Sequence, residues 1–233
     1  MNCYGANGAA KDARFALMAP PYSSATPGTA YTALTSAGVG VESFCDHLLV
    51  EPWQLKTQSG GPFRVFSPFY RALQAAGDPL PPVNAPESIP GASRALLGKI
   101  DSVRIKDLGL LPKIKWDAGF YETWTPGEAG ASARLDEFIN GGLAGYAGGR
   151  DRIDETHTSR LSPHLRFGEI SPRQVRHAVS AAKASSQDRA KFLAELGWRE
   201  FSYHLLFHNP QLATRNFTQR FDACIHTVQQ GQP

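Results

Sequence analysis

Apolar and polar positions alternate through Val39-Gly40-Val41-Glu42-Ser43-Phe44, the period of a half-buried strand. Leu48-Leu49-Val50 follows as a short apolar run that stops at Glu51-Pro52. Residues 60–72 read as a turn, a short strand and a helix start, with Ser67 as N-cap and Pro68 at the first helical position. Beyond residue 130 the period lengthens. Leu135, Phe138, Ile139 and Leu143 recur at i, i+3, i+4 and i+8, an apolar helix stripe. Ser171-Pro172-Arg173-Gln174 spells a capping box and predicts a helix from Pro172. A further helix starts near Ser185 or Ser186 and carries Phe192, Leu193, Leu196, Phe201 and Leu205. It stops at Asn209-Pro210, because proline cannot continue a helix and restricts its predecessor.

Residues 1–37 carry no sustained period and are rich in Ala, Gly, Ser, Thr and Pro. Residues 77–130 hold Pro79, Pro81, Pro82, Pro86, Pro90, Pro112 and Pro126 with little apolar periodicity, so they read as an inter-domain linker. Thr125-Pro126 with Glu128 behind it gives a helix start after that linker. Gly38 and Gly40 make only a weak dinucleotide fingerprint, because the third glycine is missing.

The chain has 233 residues, 42% hydrophobic and 19% charged, which suits one large globular domain or two small ones. Its net charge of +3 is concentrated: residues 150–220 hold 12 Lys/Arg against 7 Asp/Glu. That is the footprint expected for nucleic acid, or else a solvated basic surface. Cys3, Cys45 and Cys224 lie far apart, which argues against a zinc site or disulfide framework and for thiols in a reducing cytoplasm. No apolar run approaches a membrane span, and the first residues do not read as a signal peptide. His157, His164, His177, His204 and His208 have no metal-ligand spacing and read as ordinary polar or core residues.

Chemistry concentrates in two pieces of residues 146–202. Thr158-Ser159-Arg160-Leu161-Ser162-Pro163 crowds hydroxyls and an arginine beside a proline-marked helix start, which suits a phosphate-bearing ligand. The plainer alternative is that Ser162-Pro163 caps a helix while Tyr146 and Phe192 fill the core. Glu195-Leu196-Gly197-Trp198-Arg199-Glu200-Phe201 puts Glu195, Trp198 and Arg199 on one helix face, a carboxylate, an indole and a guanidinium for reading a flat polar group. The plainer alternative is a core tryptophan beside a surface ion pair worth under about 1 kcal/mol.

The order Tyr146, Arg150, T-S-R-L-S-P, G-E-I-S-P and E-L-G-W-R-E-F resembles the DNA photolyase/cryptochrome family, as does G-G-P-F-R-V-F-S-P-F-Y-R-A at residues 60–72. The resemblance runs from about Ser43 to Asp222 and is nearest to bacterial class I cyclobutane pyrimidine dimer photolyases. It implies an α/β remnant, the end of a Rossmann-like domain, over residues 1–76, of which 1–37 diverge. Residues 77–130 would be the linker. Residues 131–233 would begin a mostly α-helical FAD-binding domain that is truncated, with 223–233 divergent. The divergent ends suggest a frameshifted or mis-called start, or else a disordered leader, and a frameshifted or spliced tail.

The resemblance assigns Tyr146, Thr158, Ser159, Arg160, Leu161, Ser162 and Phe192 to the FAD. It assigns Glu195 and Trp198 to an extruded dimer, the base-flipping strategy photolyases use. Arg150 and Arg199 would contact DNA phosphates. It implies no catalytic side chain of the protein's own, because the flavin carries the chemistry. A second chromophore, folate or deazaflavin, would serve as antenna. The implied activity is light-driven repair of pyrimidine dimers by a cytoplasmic monomer. The alternatives are a cryptochrome-like photoreceptor and an inactive fragment that is colourless and poorly soluble.

Overall fold

A computed structural model describes residues 2–4, 14–16, 33–42, 47–84, 86–88, 91 and 102–222. Three short strands form one sheet in the order β1 (Asn2–Tyr4), β2 (Arg14–Ala16), β3 (Gly40–Glu42). β1 runs antiparallel to β2, and β3 runs parallel to it, with Phe15 opposite Val41. The alternating stretch at 39–44 thus contributes a strand; residues 43–46 lie outside the described set. The two strands within residues 1–37 are three residues each, too short to leave a period in the sequence.

The rest of the described chain is mainly helical. Helix α1 spans Phe66–Ala75, the short α2 Phe120–Thr123, and α3 Glu128–Glu137. The four-residue α4 spans Tyr146–Gly149, α5 Ser162–Phe167, α6 Pro172–Ala181 and α7 Ser186–His208. A 3-10 turn at Ile105–Leu108 and α2 are the helical segments described between residues 77 and 127.

Two ends of α7 behave as its sequence requires. Ser185 caps it by accepting from the Asp188 N–H at 3.0 Å, and it terminates at Asn209 before Pro210. The capping box of α6 is complete: Ser171 Oγ accepts from Gln174 N–H at 3.2 Å and Gln174 Oε1 from Ser171 N–H at 2.8 Å.

The expected cap at Ser67 does not form. Helix α1 begins two residues earlier than expected, at Phe66, after an extended Val65 that makes no side-chain cap bond. The reason is tertiary: Phe66 enters the helix because its ring lies flat on Trp198 at 3.6 Å and on Tyr70 at 5.3 Å. Burying and stacking an aromatic outweighs the roughly 1 kcal/mol that a serine cap contributes.

The stripe Leu135, Phe138, Ile139, Leu143 reaches one core through an irregularity. Residues Phe138–Gly142 form a π turn, closed by the Leu143 N–H to Phe138 carbonyl bond of 2.8 Å. On a regular helix Leu143 would stand about 140° round from Phe138. The wider turn brings both into the same cluster, where Leu143 is fully buried.

That cluster holds Leu135, Phe138, Leu143, Tyr146, Leu161, Val175 and Phe192, among others. A second gathers Leu49, Leu55, Phe63, Phe69, Leu73, Leu196 and Phe201. Helix α7 is the wall they share, with Phe192 in the first and Leu196 and Phe201 in the second. Gly197 lets α1 approach it: a β-carbon there would lie 2.5 Å from the ring of Tyr70.

Candidate cofactor and nucleic-acid site

Tyr146 opens α4 after Gly145, whose φ of +82° suits glycine. Its ring is buried edge-on against Phe138 at 5.8 Å and Phe192 at 5.3 Å. Burial pushes its phenol pKa up, against the pull of Arg150. One turn on, the Arg150 guanidinium lies 5.7 Å above the Tyr146 ring and forms an ion pair with Glu195. That pair is the main cause that holds the Arg150 pKa up. Lys191 stands 3.7 Å from the same Glu195 carboxylate. Thus Tyr146, Arg150, Phe192 and Glu195 come together.

The T-S-R-L-S segment lies next to Tyr146 in the same cluster through Leu161, which is 1% exposed. With its side chain in the core, its N–H bonded to Ser159 Oγ and its carbonyl accepting the Leu165 N–H, Leu161 anchors the segment. Thr158, Arg160 and Ser162 are exposed and Ser159 half-buried. Ser159 Oγ accepts from the Leu161 N–H at 3.4 Å, which leaves its own O–H to donate outward. Arg160 has φ +52°, a left-handed conformation unusual outside glycine, costing on the order of 1 kcal/mol. Outward hydroxyl donors on a strained segment are a chemically sound set for a pyrophosphate.

Trp198 is 46% exposed. One face is covered by Phe66, so a single face remains for a stacking partner. Arg199 turns away from solvent instead. It donates to Glu200 Oε1 at 2.9 Å, places Nη2 3.1 Å from His47 Nε2, and lies 4.7 Å over Tyr203. His47 also meets Tyr203 Oη at 2.7 Å, and Glu200 Oε2 accepts the Leu49 N–H at 2.7 Å. Arg199 is therefore a strut between α7 and the segment 47–50.

Glu200 makes this strut sensitive to pH. Burial pushes its carboxyl up to about 7, opposed by Arg199 and by the N–H groups of Leu49 and Val50. A raised carboxyl pKa gives stability that is full below about pH 4.5 and is lost as pH rises through 7. Glu200→Gln removes that loss. Between about pH 4.5 and 7.5 its stability should gain on the wild type by up to roughly 3 kcal/mol. His204, held down to about 4 chiefly by burial, slopes the other way but cancels in this difference. Urea unfolding at the two pH values checks it; parallel curves would mean that Glu200 is ionised throughout.

Three contributors carry no functional assignment in the sequence reading. Phe66 backs Trp198. Asp188, buried near the start of α7, accepts from the backbone N–H groups of Gly145 at 3.1 Å and Ala147 at 2.9 Å. His157 sits among Gly142, Gly145 and Gly149 with Nδ1 3.1 Å from the Gly142 carbonyl. The S-x-x-D spacing of Ser185 and Asp188 and the glycine spacing at 142, 145 and 149 are the signals that could have pointed to the latter two.

The helical scaffold thus presents hydroxyl donors near Tyr146, a carboxylate–guanidinium pair and a half-exposed indole, a set that suits many polar ligands. Comparison narrows it. The DNA photolyase family model matches residues 20–87. Deoxyribodipyrimidine photo-lyases of Agrobacterium fabrum and Synechococcus are 45% and 38% identical over 82% and 86% of the chain. Cryptochrome-1 of Arabidopsis thaliana is 33% identical over 76%. A solved class III photolyase from Agrobacterium tumefaciens superposes with a TM-score of 0.79 at 41% identity, covering 90% of this chain and 43% of its own. Its class differs from the class I expected from the motifs. The chain belongs to the DNA photolyase/cryptochrome family. It spans 40% and 43% of the two photo-lyases and 27% of the cryptochrome.

Proposed function

We propose that this chain contributes the phosphate side of an FAD site and the lesion-reading face of a deoxyribodipyrimidine photo-lyase. The observation that carries the reading is the sharing of α7: within two turns, Phe192 packs on Tyr146, Glu195 pairs with Arg150, and Trp198 keeps one free face. A flavin held at Tyr146 and Thr158–Ser162 would then adjoin a base stacked on Trp198. The same proposal divides the chain into 1–76, the end of an α/β domain, 77–130, a linker, and 131–233, the start of the helical FAD domain.

Thr158, Ser159 and Ser162 would hold the FAD phosphates by their hydroxyls, with Arg160 supplying charge and the buried Leu161 anchoring the cradle. Tyr146 and Phe192 would wall the adjoining apolar part. The chemistry that the bound group supplies is light-driven electron transfer to the dimer and back. Trp198 would stack on the extruded dimer. Glu195 would accept from pyrimidine N–H groups, and Arg150 would exchange its hold on Glu195 for a DNA phosphate. Arg199 would act on phosphate only after leaving Glu200 and His47. The partner is DNA containing pyrimidine dimers, and the protein is a cytoplasmic monomer. Among the described residues no helix is long and apolar enough to cross a membrane.

The test is titration with FAD and with riboflavin, which lacks the pyrophosphate, followed by illumination with dimer-containing oligothymidine. FAD should bind at least about tenfold more tightly, the equivalent of about 1.4 kcal/mol. Dimers should disappear only with light and FAD together. Equal affinity for both flavins would remove the phosphate cradle. FAD binding without dimer loss would favour the photoreceptor.

A further inference from the structure

We propose that Asp188 and His157 are positioning residues that clamp the turn carrying Tyr146 and the Thr158–Ser162 segment into one rigid cradle. The proposal rests on the reading of that cradle as the phosphate side of a flavin site, and it assigns work to two residues outside the motifs.

Asp188 grips the turn from α7. Its Oδ2 accepts the Gly145 N–H at 3.1 Å and the Ser185 O–H at 2.7 Å, while Oδ1 accepts the Ala147 N–H at 2.9 Å. Those bonds, that to Ala147 first, hold its pKa below the usual carboxylate range. The two backbone donors flank Tyr146, so the carboxylate fixes the one residue whose ring walls the site. An acceptor with two oxygens is required, because both N–H groups point at the same place.

His157 grips the same turn from the other side and is the residue immediately before Thr158. Its ring fills a hollow that glycines leave: a β-carbon on Gly149 would stand 2.2 Å from His157 Cδ2, and one on Gly145 3.3 Å from Cε1. Nδ1 donates to the Gly142 carbonyl at 3.1 Å, and Nε2 faces Glu155 Oε2 at 3.2 Å. The imidazole therefore pins the entry of the T-S-R-L-S segment to the backbone of residues 142–149. Arg160's left-handed conformation three residues on is thereby held between two fixed points, His157 and the buried Leu161. Hydroxyls aimed at a pyrophosphate need this fixity, because each hydrogen bond tolerates only small errors of distance and angle.

Two variants test it. Asp188→Asn replaces one acceptor by an amide N–H that opposes the turn's donors. His157→Ala empties the glycine hollow. Each is read by amide hydrogen exchange at Gly145, Ala147 and Leu161 without flavin, by FAD affinity, and by far-UV circular dichroism. Both variants should keep their helical signal. The Leu161 N–H, whose partner is Ser159 Oγ, should exchange about tenfold faster in both, and FAD should bind about tenfold more weakly. Millimolar imidazole should restore FAD affinity to His157→Ala and not to Asp188→Asn. Unchanged exchange at Leu161 in both variants would overturn the clamp, as would loss of FAD binding only in proportion to unfolding. A wild-type chain that binds no FAD would sink the cofactor reading, while exchange at Leu161 would still decide the clamp.

Discussion

Replacing Phe69 by alanine should destabilise the protein by about 3–5 kcal/mol, the range for deleting a fully buried phenylalanine. Phe69 is 2% exposed on α1 and meets Phe63 at 6.0 Å, Phe201 at 5.2 Å and His204 at 5.1 Å. It is where α1 and the segment 47–66 fasten to α7. His204 is committed there too, since its Nε2 accepts the Phe63 N–H at 3.0 Å. Urea unfolding of Phe69→Ala should show a lower midpoint with an unchanged slope. A loss below about 1 kcal/mol would mean that α1 is only loosely attached to α7.

Trp198→Ala should weaken binding to dimer-containing DNA by about 1–3 kcal/mol, the cost of removing an aromatic platform for one base. The indole is 46% exposed but stacks on Phe66 and meets Phe201 edge-on at 6.0 Å, so far-UV circular dichroism of the variant must first show that α1 and α7 persist. Binding to undamaged DNA should hardly change, because on the proposed reading the basic region 150–220 would supply that through phosphates. Filter binding with matched damaged and undamaged duplexes distinguishes the two terms. Equal weakening of both would make Trp198 a structural residue and end the lesion reading.

The features legible in the sequence are short in range. The capping box at Ser171 and Gln174 and the bounds of α7 need only neighbours within four residues, so their chemistry is written locally. The cap expected at Ser67 fails for the opposite reason: Phe66 answers to Trp198, 132 positions away in the chain. Arg199 is another case. Motif spacing puts it on the face of Glu195, but its guanidinium is claimed by His47, 152 residues away. Asp188 and His157 act on backbone atoms of residues 142–147, so their only marks in the sequence are indirect, the S-x-x-D spacing at 185–188 and the glycines at 142, 145 and 149. The sequence singles out Tyr146, Arg150, Phe192 and Glu195 as candidates, but the Arg150–Glu195 pair and the packing of Phe192 on Tyr146 join residues about 45 apart and emerge only from the fold.

The π turn at Phe138–Gly142 bears on how this chain can change over time. One residue beyond the count of a regular helix is stored there, and it sets the phase of the chain from Leu143 to α4. Deleting any one residue of the turn would restore an ordinary helix while rotating that downstream stretch by about 100° and drawing it in by about 1.5 Å. Leu143 would leave the core and Tyr146 would turn from Phe192. A point substitution in this stretch can be absorbed by repacking, but a single-codon deletion cannot. Insertions and deletions among relatives should therefore avoid these five positions even where the amino acids themselves vary.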